Sequence, residues 1–311
     1  MLRPALVLAA LGACGSEAPG PDAPLPSELP ERLSETGLYA DFASKRVASD
    51  AREFQPAHVL WSDAADKTRW IVLPPGRTID ASDYDRWTFP VGTMWFKEFA
   101  KDGKRLETRL IWRVSDTGDR EKDTLFGTYV WNDDETEAVF EPAGAKNIRG
   151  TQHDAPSKDD CWKCHIGEPG RALGFSAVQL GEAVADYPLD PPPSAAAYVA
   201  PNAALGYLHA NCGHCHNESG SAWVSSSMVL RLAAGERDVA STRIVQSTVG
   251  VPLQFWLGPG YTQRIVAGDP DASALLARMG QRAMNVQMPP IATEVVDPDG
   301  VAVVRQWIDS L

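Results

Sequence analysis

Positive charge is scarce in this chain and runs out along it. Its 311 residues carry 29 Lys and Arg against 41 Asp and Glu, a formal net charge of −12. That balance argues against nucleic acid or an anionic lipid surface as a partner. No lysine follows Lys163, which rules out a lysine-ringed docking face in the second half. Long apolar runs are missing too: beyond the extreme N-terminus no stretch is apolar enough to cross a bilayer. Acidic residues recur at Asp63, Asp66, Asp80, Asp83 and Asp85, but without the spacing of a calcium-binding EF-hand loop, so they read as acidic turns.

Cysteine occurs only five times, and four of the five fall in two copies of one pentapeptide. These are Cys161-Trp162-Lys163-Cys164-His165 and Cys212-Gly213-His214-Cys215-His216. Cys-x-x-Cys-His is the attachment signature of a covalently bound c-type haem. Two thiols add across the two vinyl groups of the porphyrin, which fixes their spacing, and the adjacent histidine falls beneath the iron as its proximal ligand. The expectation is two haem c groups, anchored by Cys161, Cys164, Cys212 and Cys215 and ligated by His165 and His216. Three other uses compete. Zinc ribbons separate their cysteine pairs by about 15–20 residues, far fewer than here, and give no reason for a histidine after each pair. Two local disulfides are a second alternative. A thioredoxin-like dithiol is the third, and it needs a βαβ context that surrounds neither motif.

The fifth cysteine, Cys14, closes an export signal. Met1-Leu2-Arg3-Pro4 is followed by a short apolar run and then Gly12-Ala13-Cys14, too short to span a bilayer. Leu11-Gly12-Ala13-Cys14 resembles the bacterial lipobox, in which the cysteine is lipidated and becomes the N-terminus; ordinary cleaved export is the alternative. Residues 1–14 are thus assigned as the signal and 15–33 as a proline-rich tether. The implied location is the periplasmic face of the cell envelope, as a lipoprotein of the outer membrane held only by its lipid anchor.

The remaining residues, about 280, suffice for two domains. Residues 34–143 read as an antiparallel β domain, a sandwich or open barrel. In Lys104 to Ser115, Leu106, Thr108, Leu110, Trp112 and Val114 face one way, and Glu107, Arg109, Ile111 and Arg113 the other. The run ending at Phe99 joins it through Lys101-Asp102-Gly103, a hairpin signal. Further strands are expected at Arg69–Leu73, Arg86–Phe89, Thr124–Trp131 and Glu137–Phe140. Seven tryptophans lie between Trp61 and Trp162; core filling is favoured over a ligand platform. Residues 144–194 form a connecting region that carries the first motif and ends in a proline-rich extended linker. Residues 195–311 read as mainly helical. Ala203 to Asn211 runs into the second motif, Asp269 caps a helix continuing through Ala274 to Met279, and Asp297-Pro298 opens a final helix with Val301, Val304, Ile308 and Leu311 in a stripe. Between the second motif and Met288, residues 224–251 are expected to add strands or a flap. The fold class is therefore α+β.

The order of helix, Cys-x-x-Cys-His, long loop, Met-Pro and terminal helix over 195–311 resembles a class I cytochrome c domain. In that family a loop methionine ligates the distal face of the haem, and Met288 matches its position; a neutral thioether favours ferrous iron. Met284 is a competitor, and Met279 reads as core. Leu60-Trp61-Ser62-Asp63, Glu107-Thr108-Arg109-Leu110, Tyr207-Leu208-His209-Ala210-Asn211-Cys212 and Met288-Pro289-Pro290 together resemble a family of exported bacterial two-haem proteins with an N-terminal β domain. His58 and Ala65 stand where that family often has Tyr and Gly, so neither takes a family role. The resemblance implies the architecture and says little about the reaction; two haems close together are expected to pass electrons to a redox partner protein. A dihaem peroxidase-like enzyme with an open first haem is an alternative, and an envelope ligand-binding protein another. For the first haem His153, His209 and His58 are candidate distal ligands, while His214 reads as a surface residue.

Overall fold

The computed structural model describes residues 25–193 and 202–311. Cys14, the signal segment and the first part of the tether lie outside the described residues. Ten strands are described: β1 (Tyr39–Asp41), β2 (Arg46–Val47), β3 (Ala51–Glu53), β4 (Asp66–Val72), β5 (Ile79–Asp80), β6 (Met94–Lys101), β7 (Lys104–Arg113), β8 (Thr124–Trp131), β9 (Ala138–Phe140) and β10 (Leu189–Asp190). The α-helices are α1 (Arg120–Asp123), α2 (Lys158–His165), α3 (Ala177–Leu180), α4 (Ala203–Asn211), α5 (Trp223–Ser226), α6 (Arg243–Thr248), α7 (Ala274–Met279) and α8 (Pro298–Asp309). The chain is of the α+β class.

Six strands form one antiparallel sheet in the order β3-β4-β6-β7-β8-β9. In place of the expected sandwich or barrel this sheet is open, and irregular segments, helices and the two-stranded sheets β1-β2 and β5-β10 cover its faces, Tyr39 and Val47 joining one cluster and Ile79 and Leu189 the other. The β6–β7 turn has Asp102 at φ 51° and Gly103 at φ 74°, the left-handed pair a two-residue hairpin demands. On one face Trp70, Phe96, Leu110, Trp112 and Tyr129 pack with Leu33 and Leu38. Leu25 and Leu29 join that cluster, and Phe140 donates its N–H to Glu31 O (2.8 Å). Residues 25–33 are therefore part of the folded body rather than of a free tether. On the opposite face Ile71, Trp95, Ile111 and Phe126 pack with Phe54, Phe89, Phe175 and Cys161. Trp70, Trp87, Trp95, Trp112 and Trp131 are all buried, consistent with core filling. The expected strand at Arg86–Phe89 is a loop with one isolated bridge, Asp80–Thr88. The proline-rich connection is not free either, since β10 pairs in parallel with β5.

The second core is helical, with Leu205, Leu208, Ile244, Leu276, Val304, Trp307 and Ile308 at its centre. Asp297 caps α8 by accepting the Gly300 N–H (3.0 Å), with Pro298 in the first turn. Helix α7 starts later than expected: Ser273 is its N-cap, and Asp269 instead accepts from Ala272 N–H (3.0 Å) in the preceding turn. Residues 224–251 form α5, a short 3-10 turn at Val239–Ser241 and α6 rather than strands.

Two straps join the cores. Trp61 donates its backbone N–H to Asn211 Oδ1 (2.7 Å) and its indole N–H to Val295 O (2.9 Å). Asp63 Oδ1 accepts the backbone N–H groups of Glu294 (2.9 Å) and Val295 (2.8 Å). On another side Arg231 pairs with Glu168 (3.3 Å) and donates to Asp85 O (3.0 Å).

Candidate functional site

The first motif is a helical turn laid against the sheet. Ser157 and Asp160 form a reciprocal capping box at the start of α2. From there the helix sets Cys161, Cys164 and His165, three and four residues apart, on one side. Arg171 closes the other end, donating to the carbonyls of His165 (3.3 Å), Ile166 (2.6 Å) and Glu168 (3.2 Å). In return the Arg171 carbonyl bonds to His165 Nδ1. A carbonyl only accepts, so Nδ1 carries the proton and Nε2 keeps its lone pair. Burial pushes the His165 imidazole down to about 3, which keeps it neutral.

The second motif begins at the C-cap of α4, where the His216 N–H closes a turn onto Cys212 O (2.9 Å). His216 Nδ1 lies 3.1 Å from Ser226 Oγ. That hydroxyl spends its proton on Ala222 O (2.8 Å), so it accepts from Nδ1, and again Nε2 is left free. Burial pushes this imidazole down to about 4. A cavity of ≈ 390 Å³ opens here, lined by Cys212, Cys215, His216 and Met288, with Phe255 and Trp256 at its edge. The Met288 N–H is fixed by Arg278 O (3.0 Å). Met284 lies at 87% exposure and outside the lining of the cavity; Met279 is buried in the helical core.

The two motifs meet. Asn211, His214 and Pro289 line both the second cavity and a smaller one, of ≈ 100 Å³, at the first motif. The ligand atoms of Cys164, His214 and Cys215 all lie within 4.8 Å of one another. Ser221 Oγ donates to Lys163 O (2.7 Å). Gly167 abuts His214 O so closely that a Cβ there would sit 2.0 Å from it. Cys161, Cys164, Cys212 and Cys215 are all free thiols, which removes the local-disulfide alternative from this structure. Burial raises the Cys161 thiol to about 11 and the Cys212 thiol to about 12. The hydrogen bond between Cys164 and Cys215 raises the first and lowers the second.

Four free thiols, two neutral imidazoles with an unshared Nε2 and the thioethers of Met228, Met279 and Met288 in the wall of the second cavity form a donor set that fits two covalent haems. The second cavity falls within the range of about 300–1,000 Å³ usual for ligand sites, and the first falls below it. A porphyrin at the first motif therefore requires this cavity to widen.

The histidines considered for the first distal position divide cleanly. His153 is buried, with Nε2 on Glu107 Oε1 (2.7 Å). His209 accepts the Leu232 N–H at Nδ1 (3.0 Å). His58 packs over Gly206 of α4. None of the three lines the first cavity; His165 and His214 are the histidines that do. His214, expected at the surface, is 6% exposed, because the first motif packs over it.

Sequence reasoning missed the floor of the first cavity. In the sheet register Arg69 pairs with Lys97, and Lys97 with Arg109, so three cations stand side by side on adjacent strands. All three line the cavity. Arg109 has a partner in Glu107, its Nε lying 3.1 Å from both carboxylate oxygens. Arg69, 2% exposed, reaches only the Lys67 carbonyl, at 3.5 Å. Lys97 lies over the Phe99 ring at 4.8 Å. Burial first, then Arg69 and Arg109, lower the Lys97 amine well below its ordinary value. The alternation of β7 was the available signal, since it places Arg109 and Ile111 on one face.

No family model, curated protein or solved structure matches the chain.

Proposed function

We propose that the chain is an exported dihaem c-type cytochrome that carries electrons to a redox partner protein. The observation that bears most weight is the meeting of the two motifs, whose cavities share Asn211, His214 and Pro289 and whose Cys164 and Cys215 sulfurs stand side by side. Groups anchored there would have neighbouring edges, the arrangement that electron transfer between them needs. Bound at these motifs, haem iron supplies one-electron chemistry. Cys161 and Cys164 hold the first group, with His165 as ligand; Cys212 and Cys215 hold the second, with His216 and Met288. The carbonyl of Arg171 and the hydroxyl of Ser226 orient the two imidazoles. The resemblance to exported bacterial two-haem proteins, with a class I cytochrome c-like domain over 195–311, supports the same reading, as does the lipobox-like Cys14, which would anchor the chain at the periplasmic face of the outer membrane. Among the described residues no helix is long and apolar enough to cross a membrane.

A peroxidase-like role needs a distal acid or base. The carboxylate lining the first cavity is Asp160, which is already committed to Lys163 (2.6 Å) and the helix cap. One observation favours a different reading: Cys164, His214 and Cys215 form a three-donor cluster of the kind that holds zinc. Among the described residues that reading lacks a fourth ligand, and it leaves Cys161, Cys212, His165 and His216 without a role. A pyridine haemochrome assay on exported protein, paired with metal analysis, decides between them. Two haems per chain are expected; no haem and one zinc per chain would overturn the cytochrome reading.

A further inference from the structure

We propose that Arg69, Lys97 and Arg109 form an anion-binding row that receives a carboxylate or comparable oxyanion in the cavity of the first motif. The row is built by strand pairing: Arg69 on β4, Lys97 on β6 and Arg109 on β7 are direct cross-strand neighbours. Cross-strand neighbours have Cβ atoms about 5 Å apart, and like charges placed so repel. A buried cation is stable when an anion accompanies it. The chain supplies one such anion, Glu107, fully buried and shared between Arg109 and His153. Asp160, the acid in the cavity wall, is held by Lys163 and Ser157. Arg69 is thus 98% buried, faces the cavity and has one long bond to a carbonyl; Lys97 faces the same space over the Phe99 ring. Three basic side chains against one internal carboxylate leave the row short of anionic partners within the protein. The guanidinium fork of Arg69 suits planar carboxylates and tetrahedral oxyanions alike.

Two sources carry that chemistry. One is the pair of propionate carboxylates on the porphyrin attached at Cys161 and Cys164, which rests on the function proposed above. The other is a free oxyanion entering the cavity, which does not. The test compares exported wild-type protein with Arg69→Gln and Lys97→Gln, each first checked for fold by circular dichroism and for haem content. If propionates fill the row, the midpoint potential of the first haem is flat in the wild type from about pH 5 to 8, and each variant gains a pH-dependent step as a released carboxylate titrates. Added inorganic sulfate, at ionic strength held constant with chloride, then changes neither protein. If a free oxyanion fills it, sulfate shifts the first-site spectrum of the wild type saturably, with an affinity about tenfold weaker in the variants. The row is not an anion site if the pH profiles of wild type and variants overlay and sulfate is silent in all three. Should Arg69→Gln fail to fold, Lys97→Gln and the wild-type sulfate titration still decide. A protein without haem would sink the cytochrome reading but not this one. Sulfate would then raise the melting temperature of the wild type and not of Lys97→Gln, and equal responses would overturn the row.

Discussion

The two Cys-x-x-Cys-His turns share a pattern and differ in their support. Cys161 packs into an aromatic cluster on a sheet, beside Trp95 and Phe126, above a floor of three cations. Cys212 ends a helix whose apolar face, Leu205 and Leu208, packs on α8. The second site opens into a roomy, largely apolar cavity with a thioether in its wall; the first is narrow and positively charged. The same five-residue signature can thus sit in two electrostatic surroundings, and it is the surroundings that would set two different potentials for one kind of cofactor.

The contrast is broken or sharpened by mutation. The largest effect is loss of a cofactor. Cys212→Ser/Cys215→Ser is expected to leave one haem per chain and abolish the thioether-to-ferric charge-transfer band, as Met288→Ala should on its own. Cys161→Ser/Cys164→Ser is expected to leave one haem and keep the band. A band that survives Met288→Ala would show that the sites are not distinguished by that sulfur. Next comes packing. Trp95→Ala should cost about 3–5 kcal/mol in denaturant unfolding, against about 2–5 kcal/mol for Leu208→Ala. If Trp95→Ala costs under ~1 kcal/mol, the first site does not depend on the sheet.

A third prediction concerns the strap. Asp63→Ala removes the acceptor of two backbone N–H groups and is expected to destabilise by about 2 kcal/mol. It should also weaken the Met288 band while sparing haem content. An unchanged band would mean that the ligand loop holds itself. The last effect vanishes at neutral pH and emerges only on acidification. Burial lowers His209 to about 3, below the unfolded value of about 6.5. The unfolded chain takes up the proton first, so stability falls as pH drops from about 6.5 toward 3, by at most about 1.4 kcal/mol per unit. Melting curves across that window should be flatter for His209→Gln, and parallel curves would remove His209 from the account.

Features carried by neighbouring residues were legible in the sequence. The two motifs, the Asp102-Gly103 turn, the Thr124–Trp131 strand, the Ala203–Asn211 helix and the Asp297-Pro298 start are all local signals, and the structure holds each of them. Met288 was picked out by order along the chain; it lines the cavity of the second motif together with Met228 and Met279. Features made by register were not legible. Arg69, Lys97 and Arg109 are neighbours only once three strands pair, and each alone reads as a solvent-facing charge. His214 looks like a surface residue inside its motif because the segment that buries it, around Gly167, belongs to the other motif. The open six-stranded sheet was read as a sandwich or barrel because alternation reports that a face is covered, not what covers it. Ser273 lost to Asp269 because Asp-Pro is the stronger local start signal.

The strap at Asp63 has a consequence for the order in which the molecule is assembled. Asp63 and Glu294 stand 231 positions apart, so this clamp closes one of the longest loops in the chain, and long-range closures form after local ones. The residues that hold the end of the Met288 segment come from distant parts of the chain. The four thiols and two imidazoles belong to local turns and do not wait for that closure. The Met288 sulfur would therefore be the last donor brought into place, and a porphyrin attached at Cys212 and Cys215 would go on while the second site is still open on one side.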